Sequence, residues 1–99
     1  MKIVWTQESL NKLVEIENYI ALDSPNRAIK FTSRIIEKAE AIVKNPEIGR
    51  IVPEFYLPDI REIIYKKYRI IYRIGKKNIE ILTVFEGHRL IRPGEIFPK

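Results

Sequence analysis

Cysteine is absent from these 99 residues. That excludes disulfides, a thiolate nucleophile and every cysteine-ligated zinc site, and it fits a reducing compartment. Histidine occurs once, at His88, and a lone imidazole excludes the usual multi-histidine metal sites. The acidic side chains do not cluster at ligand spacing, so neither a metal nor another cofactor is expected. The phosphate-cradling P-loop, the GxGxxG fingerprint and the nucleophile elbow are all missing. No apolar run approaches membrane-spanning length. The opening stretch MKIVWTQESLNKLVE lacks the apolar segment of a secretory signal. These absences predict a cytoplasmic protein with no membrane role.

The composition is that of an ordinary globular chain, with 45% hydrophobic and 31% charged residues, and the length suits one domain spanning residues 1–99. The net charge of +5 is unevenly spread. Residues 1–59 hold eight Lys/Arg against nine Asp/Glu, whereas residues 60–99 hold ten against four. A positive field over the C-terminal part suits an anionic partner: nucleic acid, an acidic protein surface or an acidic peptide. Lysines that keep sheet edges soluble account equally well for Lys66, Lys67, Lys76 and Lys77 at turns. That account fits Arg69 and Arg73 less well, because both fall mid-strand.

The stretch Ile60–Ile74, IREIIYKKYRIIYRI, organises the rest. Two β-type runs separated by Lys66-Lys67 read as an antiparallel hairpin. This pairs Tyr65 with Tyr68, Ile64 with Arg69, Ile63 with Ile70 and Glu62 with Ile71. Alternation then puts Arg61, Ile63, Tyr65, Tyr68, Ile70, Tyr72 and Ile74 on a core face. The other face carries Ile60, Glu62, Ile64, Arg69, Ile71 and Arg73, and is expected to be a working surface.

Before the hairpin, Lys2–Trp5 reads as a short strand and Thr6 as the cap of a helix reaching Leu22, with Leu10, Leu13, Val14 and Ile20, and Ile16 or Glu17 between them, on its apolar stripe. Ser24 and Pro25 open a second helix that Asn45-Pro46 stops near Lys44. Its apolar side holds Ala28, Phe31, Ile35, Ala39, Ile42 and Val43. The next segment, PEIGRIVPEFYLPD, is long, aperiodic and too apolar for a free linker. It should lie against the body, with a turn at Gly49-Arg50. A second turn at Gly75–Asn78 leads to a third strand over Ile79–Glu86, whose IEILTVFE alternates. The expected fold is α+β in the order β-α-α-β-β-β: an N-terminal strand, a helical hairpin and a three-stranded antiparallel meander, with the sheet packed on the two helices.

The chemistry rests on a cationic group: Arg69, Arg73, His88 and Arg89, with Arg92 nearby. Arginine forks suit phosphate and a histidine can move a proton near neutral pH. Such a set can cleave RNA without a metal, the 2′-OH serving as internal nucleophile. The plainer readings are a strand-end His88 that caps backbone groups and an Arg89 paired with Glu86 or a helix C-terminus.

Trp5, SP-x-x-A at Ser24–Ala28, NPEIGR at Asn45–Arg50, the YRIIYRI strand and the following apolar strand ending in an arginine together resemble the RelE/ParE superfamily of type II toxin–antitoxin toxins. The likeness covers essentially the whole chain. It implies a growth-arresting toxin held by a cognate antitoxin, with no small-molecule cofactor. RelE-like members cut mRNA on the ribosome; ParE-like members poison DNA gyrase. Arg69 matches the nuclease strand arginine, and Arg89, with His88 beside it, matches the C-terminal basic group. The nucleases' first-strand basic pair is replaced by Glu62 and Ile64, and their C-terminal tyrosine is missing, Phe97 being the nearest aromatic. A carboxylate there repels phosphate and can hold Arg69 in an intramolecular pair, which tilts the resemblance toward ParE and gyrase. In that branch Arg69, Arg73, Arg89 and Arg92 are the expected target contacts. The alternative is a ribosome-dependent mRNA endoribonuclease with Arg69, His88, Arg89 and Glu62 carrying the chemistry. Phe55, Tyr56 and Phe97 are candidate antitoxin contacts, with core packing as the competing role of each.

Overall fold

Lys66 and Lys67 close the hairpin at the expected place, and in the expected register. Strand β3 (Ile60–Tyr65) pairs antiparallel with β4 (Tyr68–Ile74), Tyr65 opposite Tyr68 and Ile64 opposite Arg69. The turn needs a left-handed residue, which Lys66 supplies at φ 54°. The computed structural model describes residues 1–87 and residue 94. His88, Arg89, Arg92 and Phe97 lie outside the described residues.

Two helices precede the hairpin. Helix α1 spans Gln7–Ala21 and α2 spans Pro25–Lys44. Each begins where a side-chain oxygen accepts from a backbone N–H at the third helical position: Thr6 from Ser9, Ser24 from Arg27. The core stripe of α2 is as expected at Ala28, Phe31, Ile35, Ala39 and Ile42, which are buried, while Val43 is only half-buried. That of α1 is rotated. Leu13 and Ser9 are buried and Ile16 and Ile20 pack against the core, while Leu10 and Val14 stand 42% and 53% exposed. Positions 9, 13, 16 and 20 fall on one helical face, and Leu10 and Val14 lie beside it. The small, hydrogen-bonded Ser9 hides that stripe from a hydrophobicity count.

Strand β1 (Lys2–Trp5) pairs with β5 (Asn78–Glu86), and the pairing is parallel. The sheet is therefore mixed rather than wholly antiparallel, in the order β1-β5-β4-β3-β2. Strand β2 (Arg50–Ile51) comes from the segment expected to be aperiodic, after a 3₁₀ turn at Pro46–Ile48. Gly49 and Arg50 form no turn. Gly49 is extended at φ −80°, ψ 155°, and Arg50 opens the strand. A Cβ on Gly49 would sit 2.6 Å from the Glu62 carbonyl oxygen and 2.7 Å from the Tyr72 hydroxyl, so only glycine passes there. The Tyr72 hydroxyl accepts from Gly49 N–H at 3.0 Å and donates to Pro46 O at 2.6 Å, pinning the segment to the sheet.

The helices cover one face, where Leu13, Phe31, Ile35 and Ile42 meet Tyr68, Ile70, Tyr72, Ile79, Ile81 and Val84. The opposite face is not an open working surface. Val52, Ile60, Ile71, Leu82 and Phe85 form a second buried cluster, with Phe55 packed against it. Residues 52–59 cross this face as a strap. Their backbone is satisfied at both ends: Val52 N–H donates to Ile60 O and Ile74 N–H to Asp59 O.

A bulge in β5 makes the second cluster. Ile71 pairs with Thr83 but Tyr72 pairs with Ile81, leaving Leu82 over. An extra residue resets the alternation. Ile79, Ile81 and Val84 therefore face the helices, while Leu82 and Phe85 face the strap. The strict alternation expected of IEILTVFE is broken there. Thr6 serves the bulge: its hydroxyl lies 2.8 Å from Ile81 O and 3.1 Å from Leu82 O, while it also caps α1.

Two stability predictions follow from these anchors. Thr6→Ala should lower unfolding free energy by about 2 kcal/mol, the upper end for a helix cap, since a strand carbonyl loses its partner as well. Thr6→Ser should recover most of it in urea denaturation. Burial raises the Tyr72 hydroxyl above its ordinary value of 10.0, more than the Gly49 hydrogen bond lowers it. A raised folded value means full stability below the unfolded value of about 10, lost as pH climbs through the folded one. Tyr72→Phe should cost about 1–3 kcal/mol at neutral pH by orphaning Gly49 N–H and Pro46 O. It should also flatten the alkaline fall in a pH series of denaturation midpoints.

Candidate functional site

Arg69 sits mid-strand on the strap side of the sheet with its side chain 5% exposed. A guanidinium in such a place must find partners, because it stays protonated and costs several kcal/mol to strip of water. Glu62 on β3 reaches it diagonally, its Oε1 accepting from Arg69 Nε at 2.5 Å. Glu54 from the strap accepts both ends of the fork, Nη1 at 2.7 Å and Nη2 at 2.8 Å. The charged plane also stacks over Phe85, 5.1 Å from the ring centroid. The bulge at Leu82 is what turns Phe85 to this side.

The second oxygen of Glu62 accepts from Arg50 Nε at 2.5 Å. The register dictates this contact, since Arg50 and Glu62 are directly opposed on β2 and β3. Four side chains thus form an alternating chain, Glu54–Arg69–Glu62–Arg50, running from strap to sheet edge. Its two positive and two negative charges cancel. The hydrogen bonds that Arg69 donates to Glu54, and then to Glu62, push its guanidinium above its ordinary value against the opposing effect of burial.

Arg73, the other expected cation among the described residues, is also engaged. Arg73 donates from Nε and Nη2 to Glu80 Oε1 at 3.0 and 2.5 Å, with its side chain 36% exposed. Arg61 projects to the opposite side from Arg69 and caps backbone carbonyls of Pro58 and Gly49 at 3.0 Å each. Of the expected antitoxin contacts, Tyr56 is 82% exposed at φ 56°, whereas Phe55 packs on the strap cluster. Sequence reasoning reached the Glu62–Arg69 pair but missed Glu54 and Arg50. The available signal for Glu54 was an acid set among apolar residues, Val52, Phe55, Tyr56 and Leu57, in a loop expected to lie against the body.

The arrangement offers no bidentate fork to a phosphate at Arg69, because Glu54 occupies it. Among the described residues there is also no group of three or more His, Cys, Asp or Glu side chains placed to hold a metal ion, and no helix long and apolar enough to cross a membrane.

A profile of the family described as "ParE toxin of type II toxin-antitoxin system, parDE" matches residues 3–91. The chain belongs to the ParE toxin family. A relative in Sinorhizobium fredii, the protein Y4kP, carries a toxin designation and is 34% identical over 90 residues, covering 89% of this chain and 90% of its own. The fold recurs in a solved chain of the chromosomal ParDE toxin–antitoxin system of P. aeruginosa, with TM-score 0.72 and 24% identity over 87% of this chain and 95% of that one. It recurs more distantly in the RelBE2 toxin–antitoxin complex of Mycobacterium tuberculosis, with TM-score 0.61 and 19% identity over 86% and 95%. This ParE-family chain is a type II toxin of the RelE/ParE superfamily.

Replacing Arg69 by alanine strands two carboxylates beneath the strap and should cost about 3–5 kcal/mol of folding stability. Glu54→Gln keeps an acceptor for one arm of the fork and should cost less than half as much. Urea denaturation of the two variants measures the difference, and an unchanged midpoint for Arg69→Ala would remove Arg69 from the structural role assigned to it.

Proposed function

We propose that this toxin arrests growth by binding DNA gyrase through surface contacts, with no catalytic centre of its own, and that a cognate antitoxin neutralises it. The observation that carries the proposal is the engagement of Arg69. Its fork lies on Glu54 and its Nε on Glu62, so the superfamily's strand arginine serves the fold. A metal-free ribonuclease needs fixed cations aimed at the developing charge on the phosphate, and a buried neutral chain of ion pairs supplies none at that position. Membership of the ParE branch supports the same reading, as does the carboxylate of Glu62 where the nucleases carry a base.

Target contacts then fall to half-exposed cations such as Arg73, together with Arg89 and Arg92, and each contributes in part. Tyr56, projecting from the strap, is the described aromatic best placed to meet the antitoxin. Phe55, its neighbour in the chain packed on the strap cluster, and Phe97 belong to the same proposed set. The toxin–antitoxin assemblies of the P. aeruginosa and M. tuberculosis relatives support an antitoxin partner for this chain.

The test is a supercoiling and DNA-cleavage assay with purified gyrase, ATP and toxin. Inhibition or trapped cleavage complexes, relieved by antitoxin, is the expected result. Arg73→Ala should raise the inhibitory concentration by only several-fold, since a half-exposed charge contributes modestly to binding. Untouched gyrase from a toxin that still arrests growth would overturn the proposal in favour of cleavage of mRNA on ribosomes.

A further inference from the structure

The helical hairpin turns a second apolar face away from the sheet. Leu10 and Val14 on α1, with Ile29 and Ile36 on α2, are between 41% and 63% exposed. They form one seam rather than scattered spots. The link Leu22–Ser24 is short, so α1 and α2 are antiparallel neighbours. The Thr32 hydroxyl donates to Glu17 across them. One turn along from that contact, Val14 comes level with Ile36; one turn the other way, Ala21 comes level with Ile29. Leu10 and the half-buried Val43 extend the seam at one end, and Leu22, 86% exposed, extends it at the other.

We infer that this face binds a second copy of the chain, the two α2 helices lying antiparallel about a two-fold axis at Ser33. The first argument is charge. The shoulders of the seam carry Gln7, Asn11 and Asn18 on α1, and Asn26, Ser33 and Glu40 on α2, all exposed. Helical spacing turns Lys30, Arg34 and Lys38 to the other side of α2. Glu40 is therefore the one charge among these six positions, in a chain of net charge +5. A seam without cations gives an acidic partner or a phosphate backbone nothing to hold. It also spares two basic chains the repulsion that their lysine- and arginine-bearing faces would meet.

The second argument is that the pattern is its own reverse. Ile29 and Ile36 are a heptad apart, as are Asn26, Ser33 and Glu40, so each set makes a row along α2. A two-fold contact pairs residue i with j and j with i. About Ser33, the antiparallel register sets Ile29 against Ile36 of the other copy and Asn26 against its Glu40. Both pairs then occur twice. Glu40 thereby reaches the positive end of a helix whose first turn holds no acid, and the small Ser33 lets the helices approach closely at the axis. The size agrees. A helix of this length, about 30 Å, beside its neighbour makes a footprint on the order of 600 Å². Stable interfaces bury about 800 Å² of accessible surface per partner. The face looks away from both the sheet and the strap, so the dimer stands whether or not gyrase is the target.

The test is sedimentation equilibrium of the purified full-length toxin, loaded from about 1 to about 100 μM. The mass should rise from one chain to two. Ile29→Lys should weaken the dimer by about a hundredfold or more, since the two-fold buries an ammonium group at each of two places. Tyr56→Lys removes a more exposed apolar side chain from the strap and should stay within about twofold, because screening confines the added charge to its near neighbours. The register has its own readout. The chain lacks cysteine, so Ser33→Cys places one thiol per copy at the axis, where the helices can meet the Cα separation of about 4.4–6.8 Å that a disulfide needs. Mild oxidation should cross-link it at least about tenfold faster than Lys38→Cys, whose position is turned away from the seam. Circular dichroism of the variants verifies that they fold. A single-chain mass at every loading would assign the face to a different protein and overturn the proposal. So would a dimer that Ile29→Lys leaves intact, equal weakening by Tyr56→Lys, or cross-linking of Ser33→Cys no faster than that of Lys38→Cys.

Discussion

One charge that cannot be given up shapes the strap side of this molecule. Arg69 is placed mid-strand with its side chain almost wholly out of water, and an arginine stays protonated under any condition in which the fold exists. The chain must therefore bring carboxylates to it. Glu62 comes with the hairpin register, and Glu54 is carried in by the strap. The strap can cross only because Gly49 passes within van der Waals range of Tyr72 and the Glu62 backbone. Phe85 closes the site from the far side, aimed there by the bulge. Loop, edge strand, glycine and bulge are parts of one solution to burying that guanidinium. Buried ion pairs add little net stability and make the loss of one partner costly; here they tie a loop to a sheet.

This has a bearing on how the RelE/ParE scaffold divides its labours. A strand arginine with its fork open can meet a phosphate. The same arginine with its fork on Glu54 is a structural bolt. In this chain the side chain that closes the fork sits on a loop and not on the sheet. Fold likeness alone leaves the activity undecided.

The hairpin was legible residue by residue, because two polar lysines bounded by alternating Ile and Tyr admit one economical register. Both helix starts were legible from Thr6 and from Ser24-Pro25. Three features were hidden, each for a physical reason. The α1 stripe runs through Ser9, which is buried by virtue of its hydrogen bond to Thr6 O rather than by hydrophobicity. The bulge at Leu82 leaves every residue β-favouring and shifts only their facing. Arg50–Glu62 and Arg69–Glu54 join residues 12 and 15 positions apart through a loop whose path no periodicity records. The Glu62–Arg69 pair was within reach because its partners lie on adjoining strands of a tight hairpin.

The parallel pairing of β1 with β5 has a temporal consequence. Thr6 bonds to Ile81 O across 75 positions, and Lys2–Trp5 finds its neighbours only at Asn78–Ile81. On a ribosome the first strand leaves the exit tunnel long before the strand it must join. The helical hairpin forms from local contacts early, yet it has no completed sheet to close on until β5 arrives. Bringing the two ends together is the step with the greatest loop entropy. The strap cannot seal either, since Leu82 and Phe85 of its cluster belong to β5. A growing chain therefore carries no finished sheet face until β5 has emerged, and both faces of the sheet mature together.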